Sequence, residues 1–305
     1  MNQSKHTIHL PHLAILHLNG TNVHEMLQGQ LSCDIREITT TSMRTGALCT
    51  PKGRISALID IVLWNDAWHL ILPQHAVELV RTLFKPILQL ARVTLEPMQN
   101  VSLYGCYNQD NTMLNQQAIS TNMYYCYRIT LTQSIIIQHT TAQCMSHDKI
   151  SYDQWHAHEL KHQRFTLYPH TSNVFLQHDL NLQNSNIISF TKGCYKGQEI
   201  IARMQYRGTI KYECITAILH TTITAPQPGD LIFNPHNPTE CIGALVDIAP
   251  LTTNQWIINA KIHKQHPDKL CFTHDAKQAL EYQILTHCQS LEHLQFPVDM
   301  AHNID

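Results

Sequence analysis

The stretch Lys192-Gly193-Cys194-Tyr195-Lys196-Gly197-Gln198-Glu199 is the part of this sequence best equipped for chemistry, with one thiol set between two lysines and two glycines. The thiolate is the nucleophilic and metal-binding form of cysteine, and nearby cations favour it. Arg203 and Arg207 follow closely, so four cationic side chains lie within thirteen positions of Cys194. Glycine permits positive φ and close approach of another backbone. With 10 glycines in 305 residues, the three between Gly193 and Gly208 mark a built loop. Cys194 is therefore the candidate reactive thiol, against the plainer reading of a small residue packed in a tight turn. Gly193 and Gly197 are expected to enable the backbone, and Gln198 and Glu199 to satisfy loop amides. Lys192, Lys196, Arg203 and Arg207 could hold a polyanionic tail.

A second pattern is His158-Glu159-Leu160-Lys161-His162, which fits H-E-x-x-H. On a helix its two histidines share a face and can bind zinc, with the glutamate as base. Phe165 stands where a continuing H-x-x-G-x-x-H would need glycine, and 22 histidines in the chain make a chance match plausible. A zinc metallohydrolase is thus a remote alternative, and no metal is expected.

The octapeptide, continued by Ile200-Ile201-Ala202-Arg203 and Arg207-Gly208, resembles the K-G-C-Y-x-G-Q-E signature of the YgfZ-type folate-binding proteins. These are relatives of the glycine-cleavage aminomethyltransferase and support the assembly or repair of iron–sulfur enzymes. Asn181-Leu182-Gln183, Ser189-Phe190 and the amino-terminal Gln28-Gly29-Gln30-Leu31-Ser32-Cys33-Asp34 extend the resemblance over nearly the whole chain. It implies tetrahydrofolate as ligand, iron–sulfur client enzymes or assembly proteins as partners, and an indirect effect on tRNA modification; the charge pattern points to no direct nucleic-acid contact, and no membrane partner is expected. It also implies a folate-contacting role for Trp155 and for the loop residues Lys192, Gly193, Tyr195, Gly197, Gln198, Glu199, Arg203 and Arg207. Two positions depart from the family and argue against folate. Leu13 or its neighbours replace an amino-terminal tryptophan, and an ungapped count aligns the pterin-reading E-A-G element with Lys161-His162-Gln163. An ammonium cannot accept the pterin's hydrogen bonds. A folate-dependent aminomethyl or one-carbon transferase is the first alternative, yet its aspartate falls at Ser56 or Ala57 in Gly53-Arg54-Ile55-Ser56-Ala57-Leu58, with Asp60 too late.

The elements that must position these residues divide in two. Residues 13–18 read as a strand ending at Asn19-Gly20, followed by a helix capped by Thr21 or Asn22 with Val23, Met26, Leu27 and Leu31 on one face. Residues 55–64 and 68–72 read as a strand pair about Asn65-Asp66-Ala67, and 74–90 as a helix that Pro86 should kink or end. Further strands are expected at 92–95, 101–104, 124–130 and 134–138. After Gly208 the pattern becomes short β runs at 212–219, 230–233, 241–247, 255–262 and 282–285, divided by proline-rich turns such as residues 234–238. Periodicity gives α+β followed by an all-β module; the resemblance implies a multidomain aminomethyltransferase-like fold, with an α+β region over 1–208 divisible into two subdomains and a carboxy-terminal β-barrel over 209–305.

Composition agrees with a globular chain. At 35.0 kDa it is long enough for two or three cores, and a formal net charge of −2 gives no global field for nucleic acid. The 10 cysteines include no C-x-x-C, as expected of free thiols in a reducing compartment. No apolar run approaches the roughly 20 residues of a membrane span and no signal-peptide pattern opens the chain, so a cytoplasmic location is expected.

Overall fold

A computed structural model of the chain describes residues 6–107, 118–130, 132–140, 148–220, 225–272 and 279–285. Its elements run β1 (His6–His9), β2 (Leu13–Asn19), α1 (Val23–Gln30), β3 (Arg44–Cys49), β4 (Ile55–Trp64), β5 (Ala67–Pro73), α2 (Val77–Ala91), β6 (Thr94–Pro97) and β7 (Val101–Tyr107). They continue with β8 (Ala118–Ser120), β9 (Tyr124–Arg128), β10 (Gln133–His139), β11 (Asp148–Lys149), α3 (Tyr152–Lys161) and α4 (Gln198–Arg207). The chain closes with β12 (Tyr212–His220), β13 (Leu231–Asn234), β14 (Asn237–Thr252), β15 (Gln255–His263), β16 (Lys269–Leu270) and β17 (Leu280–Ile284). Two compact units result: Met1–Ile150 with Thr166–Ile210, and Ser151–Phe165 with Lys211–Asp305. The helix at 152–161 therefore groups with the carboxy-terminal strands, although sequence order sets it before residue 208.

The first unit holds a five-stranded sheet ordered β3-β4-β5-β2-β6 and a six-stranded sheet ordered β11-β1-β7-β10-β9-β8. The β4–β5 hairpin turns on Asn65 and Asp66, both at positive φ (50° and 57°), the two-residue geometry whose twist matches paired strands. On the five-stranded sheet, Leu16, Leu18, Ile59, Ile61 and Leu70 form one core with Met26 and Leu27 of α1 and with Val80 and Phe84 of α2. Asn22 does precede α1, but its side chain makes no cap bond and its amide donates to the Ala91 carbonyl. Pro86 does not end α2. The helix runs on to Ala91 because Leu83, Ile87 and Leu88 pack against the core on both sides of an exposed proline. It stops when Arg92 turns left-handed at φ 55° and Val93 N–H reaches back to Leu88 O.

The second unit is a sheet ordered β13-β14-β15-β12-β17-β16. Phe233 N–H donates to Cys271 O at 2.7 Å, which brings the β13 edge to the residue after β16 and nearly closes a barrel. The proline-rich divider at 234–238 is shorter than the sequence suggests. Only Pro235 and His236 turn, and β14 then runs sixteen residues through Pro238 and Pro250. Its register shifts between Leu245 and Asp247, where an extra residue opposes β15. Such a bulge re-aims side chains, and here Asp247 is fully buried under α3, 3.0 Å from His156 Nε2.

Candidate functional site

The octapeptide loop and the Gln28–Asp34 turn, some 160 residues apart in sequence, are bonded together within the first unit. Lys196 N–H donates to Gly29 O at 3.1 Å, and Ser189 N–H to Ser32 O at 2.9 Å. The Ser32 hydroxyl in turn donates to Ile187 O at 2.6 Å and accepts from Ala47 N–H at 2.8 Å, tying both segments to β3. The turn closes on itself as well. Gln28 Oε1 accepts from Ile35 N–H at 2.8 Å, and its amide donates to Asp34 Oδ1 at 3.0 Å. The Arg36 guanidinium pairs with Asp34 at 2.6 Å and holds that carboxyl far below the usual range.

Lys192 is the centre of this junction. It is 4% exposed, and its Nζ donates to Leu31 O at 2.7 Å and Cys33 O at 2.6 Å. Burial pulls its pKa from 10.5 down to about 8. Nζ also lies 5.2 Å from the centre of the Tyr195 ring, whose hydroxyl is buried without a hydrogen-bond partner among the described residues. The sequence sets Lys192 beside the thiol as a surface cation. The structure instead turns it inward, because a lysine stem can cross apolar surroundings while its ammonium meets backbone carbonyls.

Gly197 supplies the bend, at φ 86° and with no room for a side chain: a Cβ there would come 2.6 Å from Thr50 O. Gly193 has no such constraint, since a Cβ there would meet nothing within 4 Å. Gln198 Oε1 accepts from Tyr195 N–H at 3.3 Å, whereas Glu199 stands exposed on α4. Arg203 and Arg207 are exposed as well. Cys194 is an exposed free thiol. The contrast with its neighbours is sharp: Cys33 and Cys49, both under the loop, are buried, and desolvation pushes each thiol up to about 12. Gln177, which the sequence did not single out, donates from Nε2 to Cys49 Sγ at 2.9 Å. Among the described residues Cys241 is the other exposed thiol.

Helix α3 carries the remaining candidates in the second unit. Ser151 caps it, bonded reciprocally with Gln154. Trp155 is fully buried, so stacking on a ligand would require its packing to open. The helix ends at Lys161 in a tight reversal, with Gln163 N–H on Leu160 O and Arg164 N–H on Glu159 O, both 3.0 Å. Gln163 adopts φ 54°, the conformation glycine takes freely, at the position where E-A-G has its glycine. In the ungapped register Lys161 stands at the glutamate position. Glu159 is engaged by Arg164 at 3.3 Å. Of the zinc pattern, His158 is pulled down to about 4 by burial and by the nearby Lys161, while His162 lies past the last helical residue. No group of three His, Cys, Asp or Glu among the described residues could hold a metal.

The transferase position, Ser56 or Ala57, holds no carboxylate. Ser56 Oγ donates to Asn173 Oδ1 at 2.6 Å, and Asp60 is buried, accepting from Thr45 at 2.7 Å and Tyr127 at 3.2 Å. The buried His156–Asp247 pair escaped the sequence reading. Burial opposes the charge on His156, but Asp247 outweighs it and raises the pKa. Nothing local in the sequence announces the bulge that delivers Asp247.

No protein-family model matches the chain. The tRNA-modifying protein YgfZ of Colwellia psychrerythraea is 29% identical over 223 residues, covering 67% of this chain and 68% of the relative. That of Aliivibrio fischeri is 25% identical over 231 residues, 72% of each, and that of Vibrio atlanticus 27% identical over 228 residues, 67% and 69%. This chain is similar to YgfZ. The glycine cleavage system aminomethyltransferase T from Bartonella henselae superposes with a TM-score of 0.68 over 93% of this chain and 86% of its own, at 9% identity. The likeness there is one of fold: the chain has the aminomethyltransferase architecture, with a nearly closed carboxy-terminal barrel. No helix among the described residues is long and apolar enough to cross a membrane.

Tetrahydrofolate, which the YgfZ resemblance implies, fits these residues only in part. The helix end that would present the pterin-reading group is formed, but Lys161 offers donors where the pterin amino group needs an acceptor. Glu159, the nearest carboxylate in sequence, is already paired to Arg164.

Proposed function

We propose that this chain is a YgfZ-like accessory protein of tRNA modification, which supports the assembly or repair of iron–sulfur enzymes through the Cys194 loop and binds tetrahydrofolate weakly. The observation that carries the reading is the junction itself. A buried lysine bonded to two carbonyls fixes a glycine loop whose one cysteine remains in solvent, the arrangement expected of a thiol presented to a partner protein. Similarity to YgfZ over two thirds of the chain supplies the biological setting. Lys161 and the absence of a carboxylate at Ser56 or Ala57 favour an accessory role over aminomethyl transfer, which needs a group to exchange protons with the substrate amine. Its partners are iron–sulfur client enzymes, and its place is the cytoplasm.

The test is complementation. In a bacterial strain lacking its own YgfZ, expression of this chain should restore the activity of iron–sulfur enzymes and the level of thiolated tRNA. Failure of a soluble, folded product to restore either would contradict the reading.

A further inference from the structure

Helix α4 buries Ile201 and turns the opposite stripe outward, with Glu199, Arg203, Tyr206 and Arg207 at helical spacing i, i+4, i+7 and i+8, all exposed. Tyr206 is 71% exposed, and its ring meets that of Phe190 in a T-shaped contact, with centroids 6.2 Å apart and planes at 71°. A ring so exposed and with one aromatic neighbour offers surface for stacking. Cations on and beside α4 come from two segments. The turn at Gly53 packs on α4, where a Cβ would come 3.2 Å from Ile200, and this brings the exposed Lys52 and Arg54 alongside. Among the described residues Lys52, Lys196, Arg203 and Arg207 form no ion pair, and Glu199 is the one carboxylate on the stripe. A chain with net charge −2 thus carries a local basic face that the global sum conceals.

We propose that this stripe is a docking surface for single-stranded RNA. Exposed cations alone would suit any polyanion. The open Tyr206 ring adds a platform on which an unstacked base can lie, flanked one turn away by Arg203 and directly by Arg207 for the adjoining phosphates, the combination that single-strand binders use. Duplex RNA keeps its bases stacked and cannot use the ring. The nucleic-acid chemistry follows from the stripe alone, and the choice of RNA rests on the proposed role in tRNA modification. The sequence-level expectation of no nucleic-acid contact came from net charge, which does not resolve a patch.

The experiment is fluorescence anisotropy of a labelled unstructured RNA of about twelve nucleotides with the full chain. Four phosphate contacts predict a slope near −2.8 in log affinity against log salt, hence a loss of about fifty-fold between 50 and 200 mM. Arg203→Glu and Arg207→Glu should each flatten that slope. Tyr206→Ala should weaken binding roughly tenfold with the slope kept, whereas Tyr206→Phe retains affinity. Lys85→Glu on α2 should change nothing. Absence of RNA binding at 50 mM salt overturns the proposal. So does a Tyr206→Ala protein that binds as the wild type does, or displacement by a glutamate oligomer at equal charge concentration, since either makes the face a general anion patch. Binding in vitro does not depend on complementation, so this inference and the proposed function can fail separately.

Discussion

Replacing Lys192 by methionine isolates the junction, because methionine fills a similar volume and offers no donor. The carbonyls of Leu31 and Cys33 would lose bonds of 2.7 and 2.6 Å, at about 1–3 kcal/mol for each acceptor left unsatisfied. Removing a buried charge offsets part of this. The amine's pKa falls from 10.5 to about 8, which is worth roughly 3 kcal/mol against its charged form. The net loss near pH 7 should therefore be small, about 1 kcal/mol, with 3 kcal/mol as an upper bound. The pH dependence is more telling. Below about pH 8 both folded and unfolded chains carry the ammonium; between about 8 and 10.5 only the unfolded chain does. The unfolded state then binds more protons, so wild-type stability rises with pH relative to Lys192→Met, by about 1 kcal/mol from pH 7 to pH 9. Urea denaturation of both proteins across that range measures the difference. A gap that stays constant with pH would refute the buried ammonium, and a loss well above 3 kcal/mol at pH 7 would refute the offset.

Lys161→Glu should tighten tetrahydrofolate by about 1 kcal/mol or more, as a restored charge-assisted acceptor would; titration by tryptophan fluorescence decides, and unchanged tight binding would show that another group reads the pterin. His158→Ala should leave the zinc content of the purified protein unchanged; stoichiometric zinc lost in this variant would revive the metal site. His69 is held near a pKa of 4 by burial, with His17 adding to the effect. Between pH 6.5 and 4 only the unfolded chain takes up its proton, so acid destabilises the fold. From pH 7 to pH 5 the wild type should lose on the order of 1–2 kcal/mol more than His69→Phe, and equal losses in urea titrations would count against that burial.

Local chemistry made much of this molecule legible. The Asn65-Asp66 turn, the 55–64 strand and the apolar face of α1 all follow from spacing, since each is decided by a few neighbouring residues. Pro86 shows where local rules lose: helix propensity argued for a break, and tertiary packing on both flanks overrode it. In the site, glycine scarcity pointed to the loop, and Gly197 needs its glycine for the stated reason, while Gly193 does not. Charge pattern misread Lys192, because sequence counts a lysine as a surface cation and cannot see two carbonyls brought from residues 31 and 33. The His156–Asp247 pair was invisible for a similar reason, being set by a bulge in β14 whose register depends on β15.

The central claim is that Cys194 is a working thiol and that the rest of the loop exists to present it. Cys194→Ser preserves size and loop geometry, and a side chain already in solvent leaves the fold little to lose. The direct measurement is the activity of iron–sulfur enzymes in a YgfZ-deficient strain expressing either the wild type or Cys194→Ser at matched soluble levels. The account predicts restoration by the wild type and loss with the serine variant. Full restoration by Cys194→Ser would make the loop a structural element and contradict the account.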